Sequence, residues 1–133
     1  MRKLTALILS LVLLVALTAC TATQAETPLP SGDETQPIKT ITVTVVHKDG
    51  TSKDFTYQTR EEFVGPVLEA DGLIEGNAGP YGMEITKVDG VQAIYAEDKA
   101  YWAVYEGEEY ALQGIDTTPA VDGGVYKLVY TLA

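Results

Sequence analysis

Thr40-Ile41-Thr42-Val43-Thr44-Val45, followed by Asp49-Gly50 and then by Phe55 and Tyr57, is the stretch that decides the fold. Its β-branched apolar residues alternate with threonines at a period of two, the pattern of a half-buried strand. Asp and Gly both tolerate positive φ, so Asp49-Gly50 predicts a tight hairpin turn. Phe55 and Tyr57 then sit in the returning strand.

A helix is expected next. Thr59 and Glu62 have the Thr-x-x-Glu spacing of a capping box. Phe63, Val67 and Leu68 would form the buried face, with Gly72 as the C-terminal stop. Gly65-Pro66 interrupts that stretch. Proline is well tolerated at the first helical position, so the regular helix is expected to begin at Pro66.

Downstream, Gly76-Asn77-Ala78-Gly79-Pro80-Tyr81-Gly82 is rich in glycine and reads as a loop. Strands are expected over Met83–Val88, Val91–Tyr95, Tyr101–Tyr105, Tyr110–Leu112 and Val125–Leu132, with turns at Asp89-Gly90 and Glu106-Gly107. A hairpin, one short helix and several further strands predict an α+β domain. A ubiquitin-like β-grasp suits that order: a mixed sheet with the helix packed on it. Within it, Tyr101, Ala103 and Tyr105 fall on one sheet face and Trp102 and Val104 on the other. The Trp102 face is expected to pack on the helix. Tyrosines left exposed could stack on a flat ring or a sugar.

The N-terminus speaks about location. Arg2 and Lys3 precede an apolar run, Leu4 to Leu17, which ends in Leu17-Thr18-Ala19-Cys20. The run is shorter than the 18 or so residues expected of a membrane span. It resembles a bacterial lipoprotein signal with its lipobox. That resemblance implies removal of residues 1–19, lipidation of Cys20, and attachment to the outer face of a cell membrane. Two acyl chains suffice for durable anchoring. Residues 20–37, with Pro28, Pro30 and Pro37, read as the lipidated cysteine and a flexible stalk. Residues 38–133 form the folded domain.

Cys20 is the only cysteine, so no internal disulfide or thiolate cluster is available. Without Arg2 and Lys3, 7 basic side chains face 19 acidic ones, about twelve negative charges net. Such a surface repels phosphate backbones, and no nucleic acid is expected as partner. Catalysis finds little support. Beyond the signal the serines are Ser31 and Ser52, and no nucleophile elbow surrounds Ser52 and His47. Gly76–Gly82 lacks a phosphate-binding lysine. The chain is expected not to be an enzyme. Glu97-Asp98, Glu106-x-Glu108-Glu109 and Asp116 are the carboxylates that could take a metal, although no calcium-loop motif contains them. His47, beside the turn, is expected to be a solvated strand-end residue.

A longer series runs through the domain: Tyr81-Gly82, Val88-Asp89-Gly90, Tyr101-Trp102, Gly114-Ile115-Asp116, Asp122-Gly123 and Leu128-Val129-Tyr130. In that order it resembles the C-terminal β domain of transcobalamin and gastric intrinsic factor. The resemblance implies a β-grasp-like fold and a corrinoid, cobalamin, as bound ligand. In those carriers the β domain is the smaller half of a clamp; their large helical domain has no counterpart in these residues. Carried across, the ligand-binding positions are Tyr81, Gly82, Tyr101, Trp102, Tyr110 and Leu112. The function expected is that of a non-catalytic, membrane-anchored binding lipoprotein, with an envelope transport protein as a further partner. The alternatives are a metal-binding surface protein using the acidic loops and an envelope interaction module.

Overall fold

A computed structural model describes residue 30 and residues 32–133. The signal over 1–19, lipidation of Cys20 and most of the stalk lie outside the described residues. The chain is a mixed α+β fold. Strands β1 (Lys39–Val46) and β2 (Ser52–Thr59) form the expected hairpin, in register from Lys39 opposite Thr59 to Val46 opposite Ser52. Gly50 turns with φ of +84°, and its N–H donates to the His47 carbonyl at 2.9 Å.

Strand β8 (Val125–Leu132) returns alongside β1 in parallel, with Val43 opposite Tyr126 and Val45 opposite Leu128. Antiparallel to β8 lies β6 (Ala100–Glu106), followed by the short β7 (Glu109–Tyr110). The order β2-β1-β8-β6-β7 completes the β-grasp sheet. Ile41, Val43, Val45, Tyr126, Leu128 and Trp102 share one face and are buried. Each such side chain contributes about 1.5–3 kcal/mol of burial free energy. Helix α1 (Val64–Ala70) adds Val64, Val67 and Leu68 to the same core.

The helix differs at its start. It begins at Val64, with Phe63 as N-cap and no side-chain cap. Thr59 instead ends β2, its hydroxyl accepting the Glu61 N–H at 3.0 Å. Pro66 occupies the third helical position, where an N–H would have no partner inside the helix anyway. The Val64 N–H is satisfied by the Thr118 carbonyl at 2.9 Å. At the other end Gly72 stops the helix as expected. Its N–H donates to Glu69 and that of Leu73 to Leu68, a Schellman closure with Gly72 at φ +74°.

The larger difference is a second sheet. The glycine-rich segment is strand β3 (Ile74–Gly79), paired with β4 (Gly82–Val88). Gly76 lies where the register shifts, and a Cβ there would sit 2.4 Å from the Glu84 carbonyl oxygen. The glycine therefore permits two backbones to approach closely rather than breaking a strand. The expected strand over Val91–Tyr95 shortens to β5 (Val91–Gln92), which completes the sheet β3-β4-β5. Tyr95–Asp98 is instead the short helix α2, closed by the Asp98 carboxylate accepting the Ile94 N–H at 2.8 Å. The strand expected over Tyr110–Leu112 ends at Tyr110. A 3-10 turn, Ile115–Thr117, follows. Among the described residues no helix is long and apolar enough to cross a membrane.

Candidate ligand-binding cleft

Strand β7 pairs with β6 only at Tyr105 and Glu106, and the Ala111 N–H extends that edge by one bond to the Val104 carbonyl. Between Ala100 and Ala103, β6 has no neighbouring strand on that side among the described residues. The three-stranded sheet stands across the gap and leaves a cleft of about 200 Å³. Met83, Glu84 and Ile85 of β4 form one wall, and Tyr101, Trp102 and Val104 of β6 the other. Ala93 and Tyr95 line it as well, together with Tyr110, Ala111, Gln113 and Gly114.

Trp102 is 5% exposed and held on several sides. Its indole N–H donates to the Val91 carbonyl of β5 at 3.1 Å. Its ring meets Tyr130 edge-on at 5.4 Å and His47 at 6.2 Å. The Trp102 face is thus the buried one, but the hydrogen bond of its polar tip goes to the second sheet and not to the helix. Tyr110 is braced by an edge-to-face contact with Tyr105, centroids 5.5 Å apart. Edge-to-face pairs of this kind are worth about 0.5–1.5 kcal/mol beyond burial.

Glycines seat the opposite wall. Gly82, at φ +110°, lies so close to the loop after β7 that a Cβ would come within 2.9 Å of Asp116 Oδ1. The same oxygen accepts the Met83 N–H at 2.8 Å. Asp116 therefore ties β4 to the 3-10 turn. Of the other acidic candidates, Glu97, Asp98 and Glu108 are also engaged. Glu97 and Asp98 accept from the Gln92 amide, and Glu108 pairs with Lys127 at 2.6 Å. Hydrogen bonding to Ile94, then to Gln92, holds the Asp98 carboxyl below the ordinary 3.8. Among the described residues no group of three or more His, Cys, Asp or Glu side chains is arranged to hold a metal ion.

His47 corrects its expected solvated role. It is half-buried, with Nε2 3.1 Å from Asp89 Oδ2, while Lys53 reaches the other carboxylate oxygen at 3.5 Å. It joins the β1–β2 turn to the β4–β5 turn.

No protein-family model and no curated protein matches the sequence. Among solved structures, one from Ruminococcus gnavus, described as a "putative metal binding protein", is 36% identical with a TM-score of 0.68. The match covers 71% of this chain and 98% of that one. This chain belongs to that protein's family. Haptocorrin in complex with Cbi, cobinamide, also matches, at 16% identity and a TM-score of 0.54. That match covers 77% of this chain and only 27% of haptocorrin, and it is a likeness of fold. It supports, distantly, the transcobalamin-like domain read from the sequence.

Of the positions singled out from sequence, Tyr101, Trp102 and Tyr110 line the cleft together. Tyr81, Gly82 and Leu112 do not line it. Tyr81 and Leu112 project outward, 90% and 98% exposed, each in a segment adjoining it. Sequence reasoning missed Glu84, Ile85, Tyr95 and Gln113 as lining residues. The alternation of Met83 and Ile85 already marked a strand. What it could not show was that a second sheet would carry this strand across from β6.

Proposed function

We propose that the protein is a non-catalytic binding module, held outside the cytoplasm by lipid on Cys20, which takes a corrinoid-class ligand at the β4–β6 cleft. The observation that carries this reading is the cleft itself: four aromatic residues line it beside a strand edge that has no neighbouring strand among the described residues. A binding role agrees with the descriptions of both structural relatives. A corrinoid is itself a cobalt complex, so a metal description and a corrinoid description are compatible. The lining holds no serine, cysteine, histidine or lysine and a single carboxylate, Glu84. Among the described lining residues there is no serine or cysteine nucleophile beside a histidine base and no carboxylate pair.

Ligand pockets that enclose a whole molecule usually span about 300–1,000 Å³. A cleft of about 200 Å³ admits an edge of a large ring. The remainder would lie along the exposed rim near Tyr81 and Leu112, or against a partner that closes the clamp. Titration of the mature chain with cobinamide, followed through Trp102 fluorescence, tests the proposal. Saturable quenching at micromolar ligand is expected, and its absence would overturn the corrinoid reading. Stabilisation against heat by calcium or magnesium alone would favour the metal reading of the R. gnavus relative.

A further inference from the structure

We propose that the cleft selects its ligand by positive charge, and that the group it grips is an organic cation of the substituted-ammonium or metal-complex type. This rests on the reading that the cleft is the binding site and adds the chemistry by which that site discriminates. Four of its lining residues are aromatic: Tyr95, Tyr101, Trp102 and Tyr110. Aromatic faces carry partial negative charge and attract cations. Glu84 is the one carboxylate residue among the described lining residues, and it takes part in none of the ion pairs among them. No lysine or arginine is in the lining among the described residues. The chain's acidic balance, 19 carboxylates against 9 basic side chains, raises the local concentration of cations around such a cleft.

The molecule already shows one of these rings engaged by an ammonium. Lys99 Nζ lies 5.5 Å from the centroid of the Tyr95 ring. Lys99 is exposed and outside the lining, and its ammonium would compete with a ligand cation for that ring. A neutral ligand would gain from burial against the rings but nothing from Glu84.

The test uses the mature chain at constant ionic strength and two matched pairs of probes, with Trp102 fluorescence as readout. Tetramethylammonium is compared with neopentyl alcohol, a soluble uncharged analogue that differs from its neutral isostere by one hydroxyl. Aquacyanocobinamide, which bears net positive charge, is compared with dicyanocobinamide, which does not. The charged member of each pair is expected to bind roughly tenfold more tightly. Glu84→Gln should erase most of that preference, and Lys99→Ala should tighten tetramethylammonium binding several-fold. Both positions are exposed, so neither variant should disturb the fold. Equal binding of charged and neutral members overturns charge selection while leaving the cleft and its corrinoid in place. Tetramethylammonium binding that Glu84→Gln weakens, with neither corrinoid bound, overturns the corrinoid and leaves charge selection standing. Failure of all four probes overturns both.

Discussion

The two sheets are held by different physics. In the five-stranded sheet, Ile41, Val43, Val45 and Leu128 are essentially inaccessible, and the interaction that matters is burial of apolar surface. The three-stranded sheet contributes Ile74, Ile85 and Val88 to the same core, but much of its docking is polar. Trp102 donates to Val91, His47 and Lys53 reach Asp89, and Asp116 accepts from Met83. Burial is distributed and cooperative, whereas a few hydrogen bonds can open locally. The cleft lies at the junction of the two, so its shape depends on the weaker partner.

The largest expected effect separates them directly. Leu128→Ala should destabilise the domain by about 2–5 kcal/mol, since a cavity opens where the sheet cannot collapse. Ile85→Ala should cost less, because its site borders the cleft and can relax into it. Chemical denaturation of both variants gives the comparison. Equal losses would show the two sheets to be one cooperative unit with no weaker half.

An intermediate effect is expected at Gly114. A Cβ there would sit 2.4 Å from Asp116 Oδ1 and 2.9 Å from the Met83 nitrogen, two atoms already hydrogen-bonded to each other. Gly114→Ala should therefore cost about 1–3 kcal/mol as an overpacked site. Amide exchange at Met83 should rise, while exchange in β1 and β8 stays near wild type. Uniform acceleration across both sheets would contradict a local opening.

The same division explains what could be read from the sequence. β1, β2 and β8 follow from alternation because one face of each is buried and the other wet. Their order around the helix sufficed for a β-grasp. The second sheet was not legible, since β3 is built from Gly76, Asn77, Ala78 and Gly79, residues that ordinarily mark loops. Those glycines serve close backbone approach, a role that depends on a partner strand the sequence does not place. For the cleft, Tyr101, Trp102 and Tyr110 could be singled out through the resemblance to the transcobalamin β domain. The opposing wall could not, because Glu84 and Tyr95 reach the cleft only through the second sheet and α2. Thr59 misled for a related reason. Its Thr-x-x-Glu spacing suits a capping box, yet a buried strand end took the residue first.

The smallest effect concerns acid. Asp49 bonds the hydroxyl and N–H of Thr51 at the β1–β2 turn, and Asp98 bonds Ile94 and Gln92 at α2. Both carboxyls are held below their ordinary 3.8, Asp49 chiefly by the Thr51 hydroxyl and Asp98 chiefly by the Ile94 N–H. A lowered folded-state pKa means stability that is fully present above 3.8 and lost as pH falls through the folded value. Acidification below pH 3.8 should therefore begin to loosen both turns. The consequences should differ. The Asp49 turn caps a hairpin in register over all eight residues of each strand, so only its tip can fray. Helix α2 has four residues and buries none of them, and its loss frees Tyr95 from the cleft wall. Amide exchange at Ile94 should rise in acid before any change within β1, and Asp98→Asn, which keeps an acceptor oxygen but cannot titrate, should remove that pH dependence. Simultaneous loss of protection in α2 and β1 would mean that acid acts on the whole fold, and that the cleft wall has no independent weakness.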